Sequence, residues 1–156
     1  MPHLPEDLEP DNWHRYFAME NNNRAWHLAV EDRTAEQNLE MLDAAHASAL
    51  HWSGIGTELN RMRAKTLLAE VHALLGFGAS ALGYANEVRA YFLDRETADW
   101  ELAYVHVIHA HAAAAAGEHR LHSDSYAAAG PAIDAIVDEE DRKIVLQTFT
   151  QVPPPR

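Results

Sequence analysis

Leu68-Ala69-Glu70-Val71-His72-Ala73-Leu74-Leu75-Gly76-Phe77-Gly78-Ala79-Ser80-Ala81-Leu82-Gly83-Tyr84-Ala85-Asn86-Glu87-Val88 is the stretch from which the fold can be read. Before Gly76, Leu67, Val71 and Leu74 recur at helical spacing. After it, Leu82, Ala85, Val88 and Phe92 do the same. A glycine between two such patterns marks a helix end and a turn. The stretch therefore predicts two antiparallel helices joined by Leu75-Gly76-Phe77-Gly78.

The same punctuation extends outward. Pro2, Pro5 and Pro10 precede the first apolar pattern, and Pro153, Pro154 and Pro155 follow the last. Only Pro131 falls between them, which suits a helical chain. No stretch alternates apolar and polar residues with β-branched enrichment, so no strand is expected. The pattern pauses near 32–34, 54–57, 76–78, 94–99 and 117, and helices are expected over 11–30, 34–52, 58–75, 79–93, 99–117, 119–129 and 132–149. Asn21-Asn22-Asn23 weakens the first, which then reads as one helix or two. Thr34 with Gln37 forms a capping box for the second. Gly130-Pro131 is expected to break or kink the sixth, and Asp138 offers a restart in the last. Short connections make successive helices antiparallel neighbours, giving an all-α stack of six or seven helices. The domain is expected over 11–150, with flexible segments at 1–10 and 151–156.

A second hairpin meets at Ala116-Gly117-Glu118. Superposing the two turn glycines matches Ala69 with Ala110, Ala81 with His122, Ala85 with Tyr126 and Val88 with Ala129. A small residue, a turn glycine seven positions on, then Ala and further small or aromatic residues at helical spacing resembles the tetratricopeptide repeat. The resemblance implies that these small residues let the two helices of a hairpin approach closely. It also implies about three hairpins in a right-handed array, with the first helix of each lining a concave surface. The offset between units is 41 residues rather than the usual 34 or so, the extra length lying around 94–99. The motif's Trp and closing Pro are absent from the better unit. The chain is also similar to a group of small bacterial helical proteins of this kind, through the stretch from Asp43 to Trp52 with Gly56, Thr57 and Asn60. The first hairpin and the last helix are the expected caps, or one end pairs with a second copy in a homodimer.

Composition excludes much. The 156 residues amount to one domain, and 47% hydrophobic content allows a real core. Twenty-four Asp and Glu against 12 Lys and Arg give a charge of −12, which argues against nucleic-acid and anionic-membrane partners. With no Cys, disulfides and thiolate chemistry are ruled out. The acidic, proline-broken start lacks a signal-peptide pattern, and no apolar run suits a membrane span, so a cytoplasmic location is expected.

Eleven histidines raise the question of metal. Helical spacing pairs His106 with His109, His119 with His122, and His27 with Glu31. His46 and His51 diverge by about 140° on an ideal helix. No His-Glu-x-x-His or Glu-x-x-His occurs, so the expectation is no metal and no cofactor. Ser48 beside His46 is badly spaced for nucleophilic catalysis, and no Gly-x-Ser-x-Gly elbow exists. No phosphate-loop glycine pattern occurs either.

The fifth helix is more informative. Trp100, Tyr104, Val107 and His111 form one continuous stripe, beside a second stripe of Leu102, His106, His109 and Ala113. The matching face of the third helix carries Arg63, Thr66 and Glu70. Together these seven residues of the two facing stripes, Arg63, Thr66, Glu70, Trp100, Tyr104, Val107 and His111, predict a partner-binding groove with aromatic and Arg anchors. The expected function is a protein- or peptide-binding module or adaptor without catalytic activity. The alternatives are a metal-binding protein or enzyme using interhelical histidines, and a small-molecule sensor with a pocket near Trp100 and Tyr104.

Overall fold

The computed structural model describes residues 1–156 and contains seven helices and no strand. They are α1 (Pro10–Ala29), α2 (Ala35–Ile55), α3 (Glu58–Leu74), α4 (Gly78–Leu93), α5 (Asp99–Ala116), α6 (His119–Asp134) and α7 (Glu139–Phe149). No helix is long and apolar enough to cross a membrane.

Local chemistry fixes the helix ends. Thr34 and Gln37 form the expected capping box on α2. Thr57 and Asn60 form a second one on α3, with Asn in the place usually held by Glu or Gln. Gly76 (φ 77°) and Gly117 (φ 74°) are the two residues with positive φ. After α3, Phe77 N–H donates to the His72 carbonyl (2.8 Å) and Gly76 N–H to that of Ala73 (3.1 Å). After α5, Glu118 N–H donates to Ala113 (2.9 Å) and Gly117 N–H to Ala114 (3.1 Å). Both are Schellman closures, so the two turn glycines do the same work in both hairpins.

Three features add to the sequence expectations. First, α1 runs unbroken through Asn21-Asn22-Asn23. Ala18, Ala25 and Leu28 are buried on either side of the triplet, and tertiary burial overrides its weak propensity. Second, α6 continues through Gly130 and Pro131 to Asp134, and the last helix begins only at Glu139. Pro131 and Ala127, the residue four before it, are both exposed, so water can take the carbonyl that loses its N–H partner. Asp138 caps α7 by accepting from Glu140 and Asp141 N–H (2.9 and 3.0 Å). Third, the ends are not free of the domain. Val152 is buried in the core, and His122 Nε2–H donates to the Pro153 carbonyl (2.7 Å). At the other end Trp13 Nε1–H donates to the Asp7 carbonyl (2.8 Å).

The helices form two layers. Among the odd-numbered helices α1 packs on α3, α3 on α5 and α5 on α7. Each even-numbered helix packs only against its neighbours in sequence. The core follows this order in three main clusters. Leu28, Met41, Leu67 and Val71 join α1, α2 and α3. Ala69, Ala73, Ala81, Ala85, Ile108 and Ala112 join α3, α4 and α5. Ala103, Val107, Ala129, Ile133, Val145 and Val152 join α5 and α6 to α7 and the chain beyond it. The alanine-rich middle cluster brings backbones close. A Cβ built at Gly78 would sit 2.3 Å from the Ala115 carbonyl oxygen and 2.5 Å from Ala116 Cα. At Gly83, in the same helix, it would meet nothing within 4 Å.

That contrast gives a paired test. Gly78→Ala is expected to lower stability by about 2 kcal/mol, because backbone atoms cannot swing aside. Gly83→Ala is expected to raise it by about 0.5–1 kcal/mol, as alanine does in an open helix position. Urea unfolding of the two variants checks this, and equal midpoints would show that α4 does not sit against the end of α5.

Candidate functional site

The odd-numbered layer holds a pocket of about 440 Å³. α1 contributes Asn22, Trp26 and His27, with Val30 just beyond its end, while α3 contributes Arg63 and Thr66. α5 contributes Trp100, Glu101, Tyr104 and Val105, α7 contributes Ile144 and Gln147, and Phe92 closes it from α4.

Its walls are fixed by bonds between helices. Arg63 grips Glu101 in a two-pronged pair, Nε to Oε1 at 2.7 Å and Nη2 to Oε2 at 2.9 Å. The same guanidinium lies 5.3 Å from the Trp100 ring centre, within cation–π range. Bonding to Glu101 holds the Arg63 proton more tightly than usual, against the pull of partial burial. Trp26 meets Tyr104 edge to face with ring centres 5.5 Å apart. The Tyr104 hydroxyl bonds to that of Thr148 on α7 (2.9 Å). Burial pushes the Tyr104 pKa up to about 12, so the phenol keeps its proton near neutrality. Thr66 donates to the Met62 carbonyl of its own helix (3.1 Å).

Of the seven residues expected in the groove, Arg63, Thr66, Trp100 and Tyr104 line the pocket. Val107, Glu70 and His111 do not. Val107 is fully buried in the core joining α5, α6 and α7. Glu70 (0% exposed) and His111 (6%) face each other inside the protein, His111 Nδ1 lying 3.0 Å from both carboxylate oxygens. Burial alone would lower the His111 pKa, but the charge and hydrogen bond of Glu70 together raise it. The stripe on α5 is continuous, yet only its first turns face open space. Farther along it is covered, Val107 in the core with α6 and α7 and His111 by Glu70 of α3.

The remaining pocket residues escaped the sequence reading. Trp26 near the end of α1 and Val30 just past it lie four apart, a usable signal that the asparagine triplet obscured. Glu101 had none, since its partner Arg63 is 38 positions away.

Of the helical-spacing pairs, His27 and Glu31 meet (Nε2 to Oε1, 3.3 Å), while four other histidines pair across helices. His14 Nδ1 meets His51 Nδ1 at 2.8 Å, and His46 Nε2 meets His72 Nε2 at 2.9 Å. These are cross-helix N–H···N contacts, in which one ring donates and the other accepts. His109 is held in one tautomer, Nε2–H donating to Asn86 Oδ1 (2.9 Å) and Nδ1 accepting from Ser125 Oγ–H (2.6 Å). No three His, Cys, Asp or Glu side chains converge as a metal site would require.

No family model, curated protein or solved structure matches the chain.

Proposed function

We propose that the protein is a non-catalytic binding module of tetratricopeptide-repeat kind, taking an apolar side chain of a peptide partner into the pocket. One observation carries this reading: all four odd-numbered helices, together with Phe92 of α4, build a single aromatic-walled pocket with one arginine. Aromatic and Arg side chains in a recess are what anchor peptide interfaces. The stacking order of the helices and the repeated turn geometry support the repeat assignment. Tyr104 keeps its proton and Glu101 is satisfied by Arg63, which favours binding over acid–base chemistry at this site. The pocket volume also favours a second reading, a sensor for a small molecule, since about 300–1,000 Å³ is usual for such sites.

Peptides selected from a displayed library on the full chain provide the test, with binding read by the fluorescence of Trp26 and Trp100. Trp100→Ala is expected to weaken selected peptides about tenfold or more, and Ile144→Ala to a lesser degree. Ile144 is 54% exposed, so its loss leaves the fold intact. Arg63 and Tyr104 are poorer probes, because Arg63 neutralises a buried carboxylate and Tyr104 ties α1 to α5 and α7. Unchanged affinity in both variants would refute the pocket as the site. Thermal shifts with small compounds and none with peptides would move the assignment to the sensor.

A further inference from the structure

The geometry points to the chemistry of the pocket's guest: an uncharged apolar group carrying a carbonyl acceptor, such as a peptide side chain with its own backbone C=O, rather than a carboxylate or an amine. This inference rests on the binding reading above and specifies its ligand.

Charge is the first reason. Arg63 and Glu101 are the wall's full charges, and they cancel each other. An anionic guest would draw Arg63 away from Glu101, which is only 7% exposed and has no other cation bonded to it. Leaving such a carboxylate unpaired is strongly unfavourable. The −12 charge of the whole chain opposes an anion further. A cationic guest would have to displace Arg63 from both Glu101 and the face of Trp100. Arg63 is tethered beside them, so its effective concentration is high and a free amine competes poorly.

Hydrogen-bonding capacity is the second reason. The charged acceptor in the wall is spent. Both oxygens of Glu101 accept from Arg63 and the Tyr104 hydroxyl is bonded to Thr148, whereas the Thr66 hydroxyl donates to its own helix and can still accept, as can the Asn22 and Gln147 amides. The indole N–H groups of Trp26 and Trp100 and the Nη1 group of Arg63 have no partner in the chain. An indole can only donate. A guest that brings an acceptor therefore meets groups that can only donate, and a neutral carbonyl does so without charge.

Three probes that share a phenyl group test this on the full chain at pH 7. They are N-acetyl-phenylalanine amide, N-acetyl-phenylalanine as its carboxylate, and phenethylamine. Binding is read from the indole ¹⁵N–¹H resonances. The amide is expected to bind at least about fivefold more tightly than either charged probe and to shift the Trp26 and Trp100 signals. Glu101→Gln removes the neutralising charge and is expected to reverse the order, the carboxylate overtaking the amide. Tighter binding of the carboxylate or the amine by the wild-type chain would overturn this inference while leaving the pocket as a binding site. If no probe shifts either indole, both the inference and the binding reading fail. The wild-type ranking stands without the variant should Glu101→Gln fold poorly.

Discussion

His111→Leu is expected to destabilise the protein by about 3–5 kcal/mol, because it strands a fully covered carboxylate. Glu70 has no solvent exposure, and both of its oxygens lie 3.0 Å from His111 Nδ1. Nothing else is bonded to it. Glu70→Leu should cost less. The remaining histidine can shed its proton, and only one ring nitrogen is left unpaired, at about 1–3 kcal/mol. Replacing both residues with leucine should recover much of the loss, as apolar replacements of buried pairs often do. A double-mutant cycle by urea unfolding measures the coupling. A cost below about 1 kcal/mol for His111→Leu would show that the pair is open to water. The pair also has a pH signature. The folded pKa of His111 is raised, so its contribution is complete below about pH 6.5 and is lost as pH rises through the raised value.

The pair shows what local sequence can and cannot disclose. Gly76 and Gly117 were legible because a Schellman turn demands a left-handed residue, whatever surrounds it. Trp100 and Tyr104 were legible because spacing alone puts them on one face of α5. Spacing does not say where that face stops being open. His111, three turns on, shares the stripe but lies beneath α3, paired with a residue 41 positions away. Helical spacing finds His27 with Glu31, which meet at 3.3 Å, but not the pairs between helices. Spacing joins residues three or four apart, whereas the two His–His contacts span 37 and 26 positions. Pro131 misled differently. Its cost depends on whether water can reach the carbonyl it orphans, and that is decided by the exposure of α6 rather than by the proline.

Acid is expected to unfold this protein early, and His109 is the main cause. His109 is 1% exposed. Burial first, then the nearby charges of Arg89 and His106, push its pKa down to about 4 from an ordinary 6.5. Its two hydrogen bonds are both met by the neutral ring, Nε2–H donating to Asn86 and Nδ1 accepting from Ser125. A lowered folded pKa means full stability above about pH 6.5 and progressive loss as pH falls toward 4. Two and a half units correspond to about 3 kcal/mol from this residue alone. His51, His72 and His106 are shifted the same way, chiefly by burial, and add to the slope. His109→Gln separates this effect from general carboxylate protonation. Its amide can donate to Asn86 and accept from Ser125, but it takes up no proton. Unfolding free energies measured between pH 7 and 4.5 should fall less steeply in the variant, by about 1.4 kcal/mol per pH unit well below pH 6.5. Identical slopes in the two proteins would mean that His109 titrates normally and that another group controls acid unfolding. His111 works in the opposite sense, so stability should peak between about pH 6.5 and its raised pKa.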